Sequence, residues 1–384
     1  MNLRKSLAIV LVIVGLGNLA SAVLQGSLTS AFLSVGLLAF AWVAASERGR
    51  VLAFNLGALS LVAYIAFGQL IDSREHVQTF SDSANVFVPN PILGHRPAAN
   101  LHTSAKMTVD GHLVYDVNYT TNDDALRISP PESLGASRDC VLFFGCSFMF
   151  GEGVADDETL PWNVGVLAGG RFRVRNFGYS AYGPHQMLAA IESGLVANAA
   201  RCDPKLAIYQ SHPHHILRVA GKWSSDRHGP AYALDAAGAV ERVGSFADQA
   251  GSNSWASGLR DLLPDGTRFL DNTVPDEADI RLFHAVVRRS RDLLQQSFPG
   301  IEFHVLHWDI NAPYAEQLFH QGWDTGGIEV HRLSRVLPYA EPGWENSVLL
   351  PHDVHPTAAT HAKIAAYTAS EVLHLDVPHA GVAP

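Results

Sequence analysis

The sequence predicts an α/β protein: a parallel sheet covered by helices on both faces, preceded by three transmembrane helices and a small β-rich module. Three observations predict it. From Cys140 onward, short uninterrupted apolar runs alternate with segments of helical length. The first 72 residues contain three long apolar stretches. Between these regions, residues 73–138 carry a tight-turn signal and clustered prolines.

Ser6 to Ser46 holds no charged residue over 41 positions, too many for one crossing of roughly 20 residues. The polar Gln25-Gly26-Ser27 divides it into helices over about 6–24 and 28–46, and Val51 to Ile71 forms a third run of 21 residues. Arg4 and Lys5 precede the first span, and Arg48 and Arg50 lie between the second and third. Both pairs belong on the cytoplasmic side, so three crossings leave everything after Asp72 outside. Arg4-Lys5, an apolar core and Ala20-Ser21-Ala22 also match a cleaved leader. The two remaining spans then return the chain to the same side. The spans contain no Asp, Glu, Lys or Arg, the pattern of an anchor or of a docking surface for a partner and not of a transport path. The expected location is the inner (cytoplasmic) membrane, multi-pass, with the rest of the chain periplasmic or extracellular.

Composition narrows the classes. Of 384 residues, 47% are hydrophobic and 17% charged, which excludes a disordered chain because there is ample apolar surface to bury. A net charge of −10 argues against a nucleic-acid partner, which needs a clustered basic face. Three cysteines exclude a scaffold built from disulfides.

In the 73–138 module, Lys106 to Val109, then Asp110-Gly111, then His112 to Tyr119 reads as a hairpin, because Asp-Gly suits a turn with positive φ. Pro130-Pro131 and Gly135 mark a linker. The next domain spans 139–375, with a tail over 376–384. Its expected strands are Val141 to Phe144, Phe172 to Phe177, Leu206 to Tyr209, Phe303 to Leu306 and Ile328 to Val330. Expected helices lie at about 159–168, 184–199, 276–297 and 357–373. Buried strands separated by helices imply a parallel sheet with both faces covered, whose active site gathers at the strands' carboxyl ends. Residues 219–275 interrupt the alternation, with aromatics at Trp223, Tyr232, Phe246 and Trp255, and suit either a cap over the site or a surface decoration.

Three segments carry chemistry. The first strand runs into Gly145-Cys146-Ser147-Phe148-Met149-Phe150-Gly151, where a serine in the turn exposes its hydroxyl and its own N–H at the sheet edge. Met149 stands where the G-x-S-x-G elbow would have glycine. The second strand ends in Asn176-Phe177-Gly178, and Gly178 can offer a backbone N–H with no side chain in the way. Near the C-terminus, Asp353-Val354-His355-Pro356 opens the last helix. Histidine is the usual base for a serine, and a carboxylate two residues earlier can fix its tautomer.

Gly-x-Ser-(x)3-Gly, Asn-x-Gly and Asp-x-His-Pro together resemble the SGNH (GDSL-like) hydrolases over about residues 139–375, and the N-terminal spans make it similar to membrane-anchored members. The resemblance implies a flavodoxin-like sheet of order 2-1-3-4-5, Ser147 as nucleophile and oxyanion donor, Gly178 as a second oxyanion donor, His355 as general base and Asp353 as its partner. The family's third block usually supplies an asparagine to the oxyanion. Here the third strand leads into Tyr209-Gln210-Ser211-His212-Pro213-His214-His215, with no asparagine: either a ring N–H of His214 or His215 takes that place or the donor is missing. In this order Cys140 and Cys202 stand at the same edge of neighbouring strands, and an external compartment permits a disulfide between them. Cys146 reads as buried packing.

The expected activity is a membrane-anchored, extracytoplasmic serine esterase or acyl hydrolase working through an acyl-enzyme on Ser147, with an ester or an acylated glycan or lipid as substrate. One alternative passes the acyl (acetyl) group to a hydroxyl of a cell-surface or exported polysaccharide. A further one is a catalytically weak glycan-binding module. His212/His214/His215 and His352/Asp353/His355/His361 hold residue types that suit zinc, but the serine motif makes a metalloenzyme the minor reading. No metal and no cofactor is expected. Oligomeric state is not set by the sequence.

Overall fold

A computed structural model describes residues 76–130, 137–249, 275–309, 323, 327–337, 344–349 and 353–376. The predicted spans within 1–72 lie outside the described residues, as do Trp255, His352 and residues 377–384. Among the described residues, no helix is long and apolar enough to cross a membrane.

The 73–138 region contributes strands β1 (His76–Phe80), β2 (Val88–Asn90), β3 (Gly94–Arg96), β4 (His102–Val109) and β5 (His112–Thr120). β4 and β5 form the expected hairpin, in a three-stranded antiparallel sheet of order β1-β4-β5. Asp110 (φ 50) and Gly111 (φ 77) both take the left-handed turn, which is why Asp-Gly stands there. The module shares its core with the main domain: Ala105, Tyr115 and Tyr119 lie in one buried cluster with Leu142, Phe144 and Phe150.

The main domain follows with β6 (Asp139–Phe144), α1 (Ser147–Phe150), α2 (Leu160–Leu167), β7 (Arg173–Asn176), α3 (Pro184–Glu192), α4 (Leu195–Ala200), β8 (Asp203–Ser211) and α5 (His214–Val219). Then come β9 (Pro230–Leu234), β10 (Val240–Ser245), α6 (Phe246–Gln249), α7 (Glu277–Ser297), β11 (Glu302–His307), β12 (Glu329–Arg332) and α8 (Ala358–Tyr367). The five-stranded sheet runs β12-β11-β8-β6-β7 with every pairing parallel. Numbered along the chain, its spatial order is 2-1-3-4-5.

Alternation in β6 shows how the strand serves two cores. Cys140, Leu142 and Phe144 enter the cluster shared with α3 and α7. Val141 and Phe143 enter the opposite one, shared with α2 and α8. Each such fully buried Val, Leu or Phe side chain contributes about 1.5–3 kcal/mol. α7 begins where Asp276 accepts from the N–H groups of Ala278 (2.8 Å) and Asp279 (3.0 Å), and the Asp279 carboxylate accepts from Asp276 N–H (2.8 Å). This reciprocal cap is worth about 1 kcal/mol. The helix expected over 184–199 is two helices, broken at Ser193-Gly194. The described part of the 219–275 insertion holds a two-stranded hairpin, β9-β10.

Cys140 and Cys202 are joined by a disulfide, with a Cα–Cα distance of 6.0 Å. It ties the start of β6 to the segment entering β8. Cys146 is a free, buried thiol.

Candidate active site

β6 delivers the chain to Gly145-Cys146, and Ser147 is the first residue of the short helix α1. A first-turn N–H has no intrahelical acceptor. Two side chains fix this turn. Asn176, at the end of β7, donates Nδ2–H to the Met149 carbonyl at 3.0 Å. Arg127, only 1% exposed, donates to the carbonyls of Phe150 (2.9 Å), Gly151 (2.6 Å) and Val154 (2.8 Å). Its Nε pairs with Asp156 at 3.0 Å. The guanidinium also lies over the rings of Tyr119 and Phe150.

The loop before α8 brings the remaining partners. His355 Nε2 lies 2.8 Å from Ser147 Oγ. Its Nδ1 lies 2.7 Å from Asp353 Oδ1, which also accepts the His355 backbone N–H at 3.1 Å. With the ring proton on Nδ1 and donated to Asp353, Nε2 presents a lone pair to the serine hydroxyl. Burial acts to lower the His355 pKa, but the carboxylates of Glu152 and Asp353 outweigh it and the net direction is upward. Burial acts to raise the Asp353 pKa, and the hydrogen bond and charge of His355 bring it below its ordinary value.

Glu152 belongs to this site although the sequence assigned it no role. Its Oε2 is 3.9 Å from His355 Nε2 and accepts the Ser180 hydroxyl at 2.7 Å. Its Oε1 accepts from Gln78 Nε2 at 3.0 Å, and the same Gln78 amide donates to Tyr115 Oη at 2.6 Å. The available signal was local: Glu152 sits five residues after Ser147, between two glycines. Gln78, Tyr115 and Arg127 come from the β-rich module and had no local signal.

In the structure the expected oxyanion donors Gly178, His214 and His215 have other partners. The Gly178 N–H is already donated to Asn176 Oδ1 at 3.0 Å. Gly178 is instead required by close approach, since a Cβ there would stand 2.7 Å from Met149 Cβ. His215 is buried, with Nδ1 held 2.6 Å from the Tyr209 hydroxyl. His214 packs at a tilt against Trp223, and burial with the nearby Arg218 charge pushes its pKa down to about 4. Among the described hydrogen bonds, none joins either ring to Ser147 or His355. In the same loop the His212 ring packs on Phe148, which itself packs on His355. Of the zinc-type groupings considered, His361 is occupied otherwise: its Nδ1 accepts the Leu160 N–H at 3.0 Å, and burial pushes its pKa to about 3. Cys146 packs in the core beside Phe143 and Met149.

No protein-family model and no curated protein matches this chain. Solved structures do resemble it. A protein described as lipolytic and of the G-D-S-L family, from Desulfitobacterium hafniense, is 12% identical, with 62% of this chain and 99% of that one covered and a TM-score of 0.36. An acetyl xylan esterase from Butyrivibrio proteoclasticus is 7% identical, with coverages of 70% and 74% and a TM-score of 0.35. A carbohydrate esterase is 8% identical, with coverages of 79% and 99% and a TM-score of 0.37. Likeness at this level carries no argument about activity, which rests on the residues of the site itself.

Proposed function

We propose that the protein is a serine esterase or acyl hydrolase, anchored to the membrane by its N-terminal helices and working outside the cytoplasm. The observation that carries the activity is the continuous contact Ser147 Oγ, His355 Nε2, His355 Nδ1, Asp353 Oδ1, at 2.8 and 2.7 Å. Ser147 Oγ attacks the acyl carbonyl while His355 Nε2 takes its proton. The oxyanion forms against the Ser147 N–H. The alcohol leaves with the proton from His355 and the acyl group stays on Ser147. Water then attacks, His355 again accepting and returning a proton, and the acid departs. Asp353 keeps the imidazole in the right tautomer throughout.

The Cys140–Cys202 disulfide supports the external location, because such bonds persist in oxidising compartments. An acyl acceptor other than water is favoured by one feature. A groove of 830 Å³ between the β2-β3 and β9-β10 hairpins is lined by Phe87, His95, Arg242 and Asp248. His95 Nε2 reaches the Ser180 carbonyl at 2.9 Å, and Ser180 holds Glu152 beside His355. An aromatic face with polar groups around it suits a sugar ring.

The test is turnover of p-nitrophenyl acetate by the full chain in detergent, with and without added oligosaccharide. Release of nitrophenol that Ser147→Ala abolishes supports the esterase. Acetylated sugar among the products moves the assignment to the transferase. No release from folded protein contradicts both.

A further inference from the structure

A second cluster lies on the sheet's last two strands and belongs to none of the chemistry above. β11 and β12 pair in parallel, with His304 opposite Glu329 and Leu306 opposite His331. Side chains alternate along a strand, so Glu302 and His304 on one strand and Glu329 and His331 on the next share a face. α8 brings Tyr367 to the same place. His304 Nδ1 lies 3.2 Å from His331 Nε2. Glu329 places one carboxylate oxygen 3.8 Å from His304 Nδ1 and the other 3.6 Å from His331 Nε2.

We propose that His304 Nδ1, His331 Nε2 and the Glu329 carboxylate form a binding site for a divalent first-row transition ion of the zinc type. Two nitrogens on one tetrahedral zinc, each at about 2.0–2.1 Å, stand about 3.4 Å apart. The observed separation of 3.2 Å is close to that. The nitrogens facing away are also held: His304 Nε2 is 3.4 Å from Glu302 Oε2 and His331 Nδ1 is 3.1 Å from the Tyr367 hydroxyl. Metal-binding imidazoles have such outer partners, which fix the ring and its tautomer. Two imidazoles with one carboxylate is a donor set for zinc and its neighbours, not for magnesium or calcium, which take oxygen.

Access fits as well. His304 and His331 are each only 7% exposed, while the Glu329 side chain is 65% exposed. The carboxylate therefore closes the site from the solvent side and leaves a fourth position for water. The three donors come from the fourth and fifth strands of the sheet, whereas Ser147 follows the first. The ion would cross-link the edge strand β12 to β11 and take no part in acyl chemistry. Without a metal, the same 3.2 Å contact is an N–H to N hydrogen bond between the two rings, and that is the competing outcome.

The experiment uses the full chain in detergent, stripped with a chelator, titrated calorimetrically with zinc and analysed for metal after gel filtration. Circular dichroism monitors the fold of each variant. The expected result is about one zinc per wild-type chain and a raised melting temperature with zinc. Glu329→Gln alters an exposed group and weakens binding at least tenfold. His304→Gln and His331→Gln abolish binding, and Tyr367→Phe weakens it roughly 10–100-fold, as loss of an outer partner does. Absence of zinc on the wild-type chain overturns the proposal. So does zinc bound as tightly by Glu329→Gln or His331→Gln, which would place the ion elsewhere among the 19 histidines.

Discussion

Glu152 Oε2 stands 3.9 Å from His355 Nε2, the nitrogen that also meets Ser147 Oγ at 2.8 Å. One imidazole nitrogen thus faces both a nucleophile and a second carboxylate, while Asp353 holds the other nitrogen. The arrangement favours the imidazolium that forms when Ser147 attacks. It also makes the free base harder to obtain at low pH. Burial lowers the His355 pKa, and Glu152 and Asp353 raise it further than burial lowers it. The basic form is therefore lost as pH falls through a value above the ordinary roughly 6.5 of histidine. The acid limb of kcat/KM against pH should lie above that value in the wild type and move to lower pH in Glu152→Gln. An unmoved limb in that variant contradicts the role given to Glu152.

Asp353 touches only His355 within the triad, through both its ring and its backbone N–H. Asp353→Asn keeps the shape and reverses the hydrogen bond, which favours the wrong tautomer. Initial-rate kinetics should show kcat reduced roughly 10³–10⁴-fold with little change in KM. A loss smaller than tenfold would show that Asp353 does not orient the base.

Arg127 satisfies three carbonyls in the turn that follows the nucleophile and pairs with Asp156. Its removal takes a charged donor from all three carbonyls and leaves the Asp156 charge without its partner. Urea unfolding of Arg127→Ala should show a loss of about 3–5 kcal/mol. A loss below 1 kcal/mol would mean that the turn holds without the clamp.

The Cys140–Cys202 bond closes a loop across a sequence separation of 62 residues. In the chain-entropy account such a closure stabilises by about 4 kcal/mol. Cys202→Ser should lower the unfolding free energy by roughly 2–4 kcal/mol, and a reductant should do the same to the wild type but not to the variant. Reductant sensitivity retained in the variant would refute the pairing.

Much of the α/β domain was legible because its strands are fully buried. A run such as Val141 to Phe144 has no polar face and needs cover on both sides, and the structure supplies two cores. Ser147, Asp353 and His355 were legible because each sits in a short motif at the end of an element. What escaped came from distant segments meeting in space. Arg127 and Gln78 lie far from Ser147 in sequence, and only the packing of the β-rich module against α1 brings them in. The partners of the expected oxyanion donors escaped for a local reason. Asn176 folds back on its own turn and takes the Gly178 N–H, and in the 212–215 loop His215 turns to the Tyr209 hydroxyl and His214 to Trp223. Neither outcome is written in residue spacing. The membrane spans rest on the apolar pattern of the sequence alone.

The most direct test of the central claim is covalent labelling with a fluorophosphonate, which reacts only with an activated serine. The full chain would be labelled in detergent, beside Ser147→Ala and His355→Ala. The account predicts labelling of the wild type at Ser147, none in Ser147→Ala and a severe loss in His355→Ala. No labelling of folded wild-type protein, or labelling that persists without Ser147, would contradict it.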